Sequence, residues 1–252
     1  MKILYSTTKT MDLATPAPAG VRGTRPRRQA EAATLMARLK GLGRAELARL
    51  MDLSPRLADA TARDIALWGE RGRPRRPAMA AFTGLVFKHL DARSLAPEVW
   101  RDAQDRLRIL SGLYGLLRPR DLIEAYRLEM GCKFNAAPRT GLAAFWRPLI
   151  TADLNRDLRR GEPVINLAAG EYLDAVDVAA LKGPVIWPVF KQRRDDGKLK
   201  VVVVYAKEAR GLMARFILEE GITEPAGLLG FHAEGWEAAE EPPESGEWLF
   251  TR

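Results

Sequence analysis

The chain has 252 residues, 47% of them hydrophobic, which is enough to bury a sizeable core in one large domain or two small ones. No apolar run approaches the roughly 20 residues of a membrane span, MKILYSTTKT is too short and polar for a secretory signal, and one cysteine with two histidines excludes a disulfide framework and weighs against a zinc or iron–sulfur centre. The formal charge of +8 is uneven: residues 201–252 hold four cations against ten glutamates, a balance of −6, which leaves +14 on the first 200 residues and points to polyanionic partners.

Lys2 to Ser6 (KILYS) is an apolar strand, and the polar turn from Ser6 to Thr10 places Lys9 at its exit. A Pro/Gly/Arg loop over 16–28 precedes helices starting at Gln29, Arg44 and Pro55, the last pair separated by Ser54 and Pro55. A second basic segment, Arg71 to Pro77, is either a solvated loop or an arm that touches phosphates. The stretch 80–90 mixes periods and leaves its state open. From Pro97 the spacing predicts a helix running to Leu113. Gly112 and Gly115 then frame a turn, and Asp121 carries a new helix-start signal, so LSGLYGLLRPRDLI reads either as a plain helix connection or as a helix-hairpin-helix element that offers backbone N–H groups to a DNA phosphate.

In YRLEMG, Arg127 and Glu129 would share one face of a strand. After a helical stretch over 141–160 anchored by Phe145 and Trp146, PVINL (163–167) is a buried strand whose exit carries Asn166, Glu171 and Tyr172 beside Ala-Ala-Gly, which permits close backbone approach. PVIWPVF (184–190) is another strand ending at Lys191, and the Asp-Gly turn in RRDDGK folds it back into KVVVVY. Val201 to Val204 read as a strand covered on both faces that delivers a basic helix, on which Lys207, Arg210 and Arg215 fall within about 140° of one another at about 100° per residue. An acidic connection over 237–247 precedes a last strand, WLFT. His89 and His232 read as packing or loop residues, and Cys132 as a small apolar filler.

LRILSGLYGLLRPRDLIEAYRLEMG, VINLAAGEYL, PVF with its Asp-Gly hairpin, VYAKEARGLMARFI and GFHAEGW resemble, in order and spacing, the peroxide stress protein YaaA family, and MKILYSTTKTMD resembles its opening strand and turn. The resemblance implies a single α/β domain over residues 1–252, a mixed sheet with surrounding helices in an unusual topology, a positively charged cleft and a helix-hairpin-helix element. It further implies sequence-nonspecific DNA binding and a role in limiting oxidative damage linked to iron; the lack of a span or secretory signal in the sequence points to the cytoplasm, and no cofactor is expected. Carried over by position, the DNA-touching hairpin is Gly112, Leu113, Tyr114, Gly115 and Arg118. The cleft set is Lys9, Arg127, Asn166, Glu171, Tyr172, Lys191, Lys207, Arg210 and Arg215. Thr7, Thr8 and His232 depart from the family pattern and bear on the shape of the pocket. The residue types in the cleft set also suit an enzyme acting on a nucleobase, nucleotide or similar small anion, with Glu171 as acid/base, Tyr172 orienting the ligand, and Lys9 or Lys207 stabilising charge. A buried polar network holding strand ends together is the competing structural reading.

Overall fold

The apolar N-terminal run becomes the middle of the sheet. In the computed structural model, which describes residues 1–136, 139–239 and 246–252, this strand is β1 (Lys2–Ser6). It is followed by α1 (Gln29–Lys40), α2 (Arg44–Met51), α3 (Pro55–Leu67), β2 (Arg76–Pro77), α4 (Ala78–Ala81), α5 (Leu85–Leu90) and α6 (Pro97–Arg106). Next come β3 (Leu107–Ser111), β4 (Gly115–Leu117), β5 (Leu122–Ile123), β6 (Asn135–Ala136), β7 (Arg139–Thr140), α7 (Leu142–Asp157), β8 (Val164–Asn166) and α8 (Gly170–Leu173). The chain ends with β9 (Val185–Arg193), β10 (Leu199–Lys200), α9 (Val203–Glu219), β11 (Glu237–Ala238) and β12 (Glu247–Thr251). The acidic connection expected over 237–247 lies outside the described residues at 240–245.

The main sheet has eight strands in the order β11-β12-β9-β8-β1-β3-β4, with β10 paired to β9. Strands β12, β9, β8, β1 and β3 run parallel, with Ile3 opposite Leu107 on one side and Ile165 on the other. The antiparallel partners β4, β10 and β11 sit at its margins. Parallel strands must be covered on both faces, which explains why all five residues of β3 are buried and why Ile3, Leu4 and Tyr5 are at most 1% exposed. An aromatic group of Phe190, Phe231, Trp236 and Phe250 seals the β9 and β12 side, with ring centroids 5.4–6.2 Å apart. The helices expected from Gln29, Arg44 and Pro55 form, the last with its proline in the first turn, where its missing N–H costs nothing. The Asp-Gly hairpin also forms as expected, with Gly197 at φ +76. Trp146 is a core anchor, whereas Phe145 is only partly buried.

Several readings are overturned. The helix that begins at Pro97 stops at Arg106, and 107–111 is the central strand β3. Gly112 to Gly115 therefore turns between two strands, β3 and β4, and no helix-hairpin-helix element forms there. Leu113 and Tyr114 are at most 1% exposed, and a Cβ on Gly112 would lie 2.3 Å from the Leu128 carbonyl oxygen, so the turn faces the core. Gly115 needs its φ of +70, and a Cβ there would meet the Trp146 ring at 2.6 Å. Asp121 starts no helix: it is fully buried and binds the Arg118 backbone N–H at 2.8 Å and the Thr24 hydroxyl at 2.6 Å.

Val201 to Val204 form no covered strand. The hairpin ladder ends at Lys200, and Val203 and Val204 occupy the exposed first turn of α9, at 63% and 52% exposure. Burial of Ala206, Ala209, Met213 and Ile217 along α9 outweighs the β preference of the valine run. Residues 126–131 are irregular rather than a strand, so Arg127 and Glu129 share no strand face. The basic segment 71–77 is no free arm either: Arg73 pairs with Asp64 at 3.0 Å, Arg75 with Glu124 at 2.7 Å, and Arg76 donates to the carbonyls of Ala14 and Thr15. Arg27 and Arg108 likewise share Asp157, at 2.9 and 2.6 Å.

Candidate functional site

Adjacent parallel strands β1 and β8 send their following connections in opposite directions, β1 toward β3 and β8 toward β9. That arrangement opens a crevice at their carboxyl ends, where the ligands of α/β sheets bind. Here the crevice is a cleft of about 250 Å³. The turn after β1 supplies Ser6 to Thr10, the turn after β8 supplies Leu167, Ala169, Glu171 and Tyr172, the start of α5 supplies Gly84 to Val86, and α9 supplies Lys207 and Arg210.

Helix α9 reaches the cleft because it crosses α5 at a glycine. A Cβ on Gly211 would stand 2.4 Å from the Val86 carbonyl oxygen and 2.7 Å from the His89 Cβ. The preceding residue, Arg210, is thereby held against the sheet. Its Nε is buried with no hydrogen-bond partner, and burial draws the guanidinium pKa down while the neighbouring Tyr5 pushes the other way. Tyr5 is fully buried and donates to the Val86 carbonyl at 3.0 Å, so the same carbonyl fixes the floor of the cleft and the approach of α9.

The opposite wall is hydroxylic and acidic. Thr7 Oγ1 donates to the Tyr172 hydroxyl at 3.0 Å, Ser6 Oγ accepts the Ala169 N–H at 3.1 Å, and Thr8 Oγ1 accepts the Gly84 N–H at 3.1 Å. Burial lifts the Tyr172 pKa to about 12, against the bond from Thr7, so the phenol stays protonated. Behind it, Ser111 and the buried Tyr126 hydroxyl lie 2.7 Å apart. Lys9 reaches Glu129 at 3.0 Å, whereas Glu171, Lys207 and Arg210 have no ion-pair partner among the described residues. Three cations therefore face two carboxylates, a mixed field with a small positive excess. It suits one small polar anion rather than a long polyanion.

Five of the nine expected cleft residues, Lys9, Glu171, Tyr172, Lys207 and Arg210, line this one space. Asn166 sits just beneath it, 7% exposed, and its Oδ1 accepts the Ala168 N–H at 3.0 Å, so it shapes the turn. Arg215 is spent on Glu219 and on the Leu90 carbonyl that closes α5. Arg127 and Lys191 do not line the cleft. The residues missing from the expected set are Ser6, Thr7, Thr8, Thr10 and Glu129, and a polar turn at a strand exit was the signal for the first four. Cys132 is partly buried, and burial with nearby Glu129 and Glu171 raises its thiol pKa, which disfavours the reactive thiolate. His232 is exposed, its Nδ1 2.6 Å from the Gly230 carbonyl oxygen, and takes no part in the cleft. Among the described residues no group of three metal-ligating side chains gathers, and no helix is long and apolar enough to cross a membrane.

Comparison with known proteins agrees along the whole length. The family model described as peroxide stress protein YaaA matches residues 1–242. A UPF0246 protein of Flavobacterium johnsoniae is 41% identical, with all of both chains covered. A UPF0246 protein of Alcanivorax borkumensis is 40% identical over 94% of this chain and 92% of its own, and one of a Janthinobacterium species is 39% identical over 100% and 98%.

Proposed function

The chain belongs to the peroxide stress protein YaaA (UPF0246) family, and from that premise we propose that its working site is the strand-end cleft, which binds a small planar anion of the nucleobase or nucleotide class. The observation that carries this reading is the meeting of Arg210, Lys207, Glu171 and Tyr172 at the sheet's switch point, with the buried Arg210 Nε lacking a protein acceptor. An anionic group on the ligand supplies that acceptor and interacts with Lys207. Tyr172, protonated and oriented by Thr7, fixes the ring, and Glu171 is the group placed to accept or return a proton.

Thermal-shift and calorimetric screening of nucleobases and nucleotides tests this reading. A stabilising ligand should lose roughly 10- to 100-fold in affinity in Arg210→Ala, because a charge-assisted hydrogen bond is removed. A panel without a single stabilising member would sink it. A second reading, sequence-nonspecific DNA binding, is supported by the +14 balance of the first 200 residues. It predicts that duplex affinity falls by roughly 0.9 log unit per log of salt for each phosphate neutralised. It needs other surfaces than Gly112 to Gly115, which are buried against Leu128 and Trp146.

A further inference from the structure

Away from the cleft, a second cavity of about 510 Å³ opens between the loop around Thr24 and the strand β5. Its walls are fixed before anything enters. Thr24 N donates to the Arg120 carbonyl at 2.7 Å, Leu122 N donates to the Thr24 carbonyl at 2.8 Å, and the Thr24 hydroxyl is held by the buried Asp121. Arg28, one residue before α1, is clamped by Asp153 at 2.8 Å, so the first turn of α1 is immobilised beside the cavity that Gln29 lines.

Tyr114 lines this cavity and is 1% exposed. Its hydroxyl accepts from Trp68 Nε1 at 3.1 Å and from the Glu124 N–H at 3.4 Å, and among the described residues it donates to nothing. With both lone pairs taken, a phenol can offer only its proton. Burial raises its pKa to about 12, so that proton stays on. A buried donor without an acceptor is costly in a folded protein. The charges point the same way. The Glu124 carboxylate, 4% exposed, is consumed by the Gly69 N–H at 2.8 Å and by Arg75 at 2.7 Å. Arg25, exposed at the mouth, has no carboxylate partner among the described residues, and no side chain caps the nearby N-terminus of α1.

We propose that this cavity is a second binding site, taking a small organic anion whose phosphate or carboxylate pairs with Arg25 while an acceptor on the same molecule receives the Tyr114 proton and its apolar part packs on Leu122. The volume lies in the range of small-molecule sites. The site shares no lining residue with the cleft at the strand ends.

The test uses the full chain and three probes of one shape, phenyl phosphate, benzoate and neutral benzyl alcohol, titrated calorimetrically. Saturable binding of at least one anion, with benzyl alcohol weaker by tenfold or more, is expected, and the tighter anion identifies the preferred group. Arg25→Ala changes an exposed side chain and should weaken the anion roughly tenfold. Tyr114→Phe, checked for native circular dichroism, should weaken it similarly, and both losses should persist in an Arg210→Ala background, which removes any share of the probe bound at the strand-end cleft. No saturable binding of either anion overturns the proposal, and so does wild-type affinity in Arg25→Ala or in a folded Tyr114→Phe. Loss in Arg210→Ala alone would place the probe in the other cleft and overturn it as well.

Discussion

Gly211→Ala puts the link between fold and site under the most direct strain. In an isolated helix the change would stabilise by about 1 kcal/mol, because alanine is the better helix former. In α9 the added methyl would stand 2.4 Å from the Val86 carbonyl oxygen and 2.7 Å from the His89 Cβ. The first of these is backbone inside α5 and cannot rotate away. The helices must separate, and overpacking of this kind costs up to about 3 kcal/mol. Movement of the Val86 carbonyl also strains its bond from the buried Tyr5 hydroxyl, worth about 1 kcal/mol. The net loss is then about 3 kcal/mol, which for a chain of this size lowers Tm by roughly 6–12 °C. Urea titration with unchanged slope and a lowered midpoint would report it. Because Arg210 rides on the same turn, any cleft ligand should weaken in the folded variant as well. A variant as stable as the wild type, or more stable, would refute the close crossing of α5 and α9.

Two further substitutions separate the exposed and buried parts of α9. Val203→Ala should change stability by no more than about 0.5 kcal/mol, whereas Met213→Ala, which empties a fully buried position, should cost about 2–5 kcal/mol. Equal costs would restore the covered strand that the valines suggest. Asp157 predicts the shape of the acid limb. Burial alone would raise its carboxyl pKa, but the bonds and charges of Arg27 and Arg108 hold it below the ordinary range. Its contribution is therefore complete above the unfolded carboxylate value of about 3.9 and is lost as pH falls through the lower folded value. Asp157→Asn should cost about 3–5 kcal/mol at neutral pH by stranding the buried Arg108, and should flatten the stability profile below about pH 4. Acid limbs of equal slope in the two proteins would contradict this.

What the sequence revealed and what it hid follow from burial. The strand KILYS and the alternating PVIWPVF were legible because length, flanking turns and the Asp-Gly signal agree with their place in the sheet. LRILSGLYGLL was not. Strand β3 is covered on both faces, so its side chains show no alternation, and a short apolar run directly after a helix is indistinguishable by period from more helix. Gly112 and Gly115 gave the right signal, a tight turn, for the wrong partners. The valine run failed in the opposite direction: its β-branched residues lie where the ladder has already ended, and the buried face of α9 pulls the helix start back to Val203.

Among the site residues, those that follow β1 and β8 were legible because a strand exit in a parallel sheet has one destination, and Lys9, Glu171 and Tyr172 reach it. Arg215 could not be sorted from Arg210 in this way. An arginine on a basic helix face looks the same in sequence whether its acceptor is a ligand or a helix-ending carbonyl, and only packing distinguishes them. Arg215 finds the Leu90 carbonyl at 3.3 Å, and Arg210, five residues earlier and directly beside the Gly211 crossing, is left with a buried Nε that the protein does not satisfy. The glycine that makes the helices touch thus also holds Arg210 at the cleft beside Lys207, which is why a stability variant at Gly211 and a binding variant at Arg210 should report on the same feature.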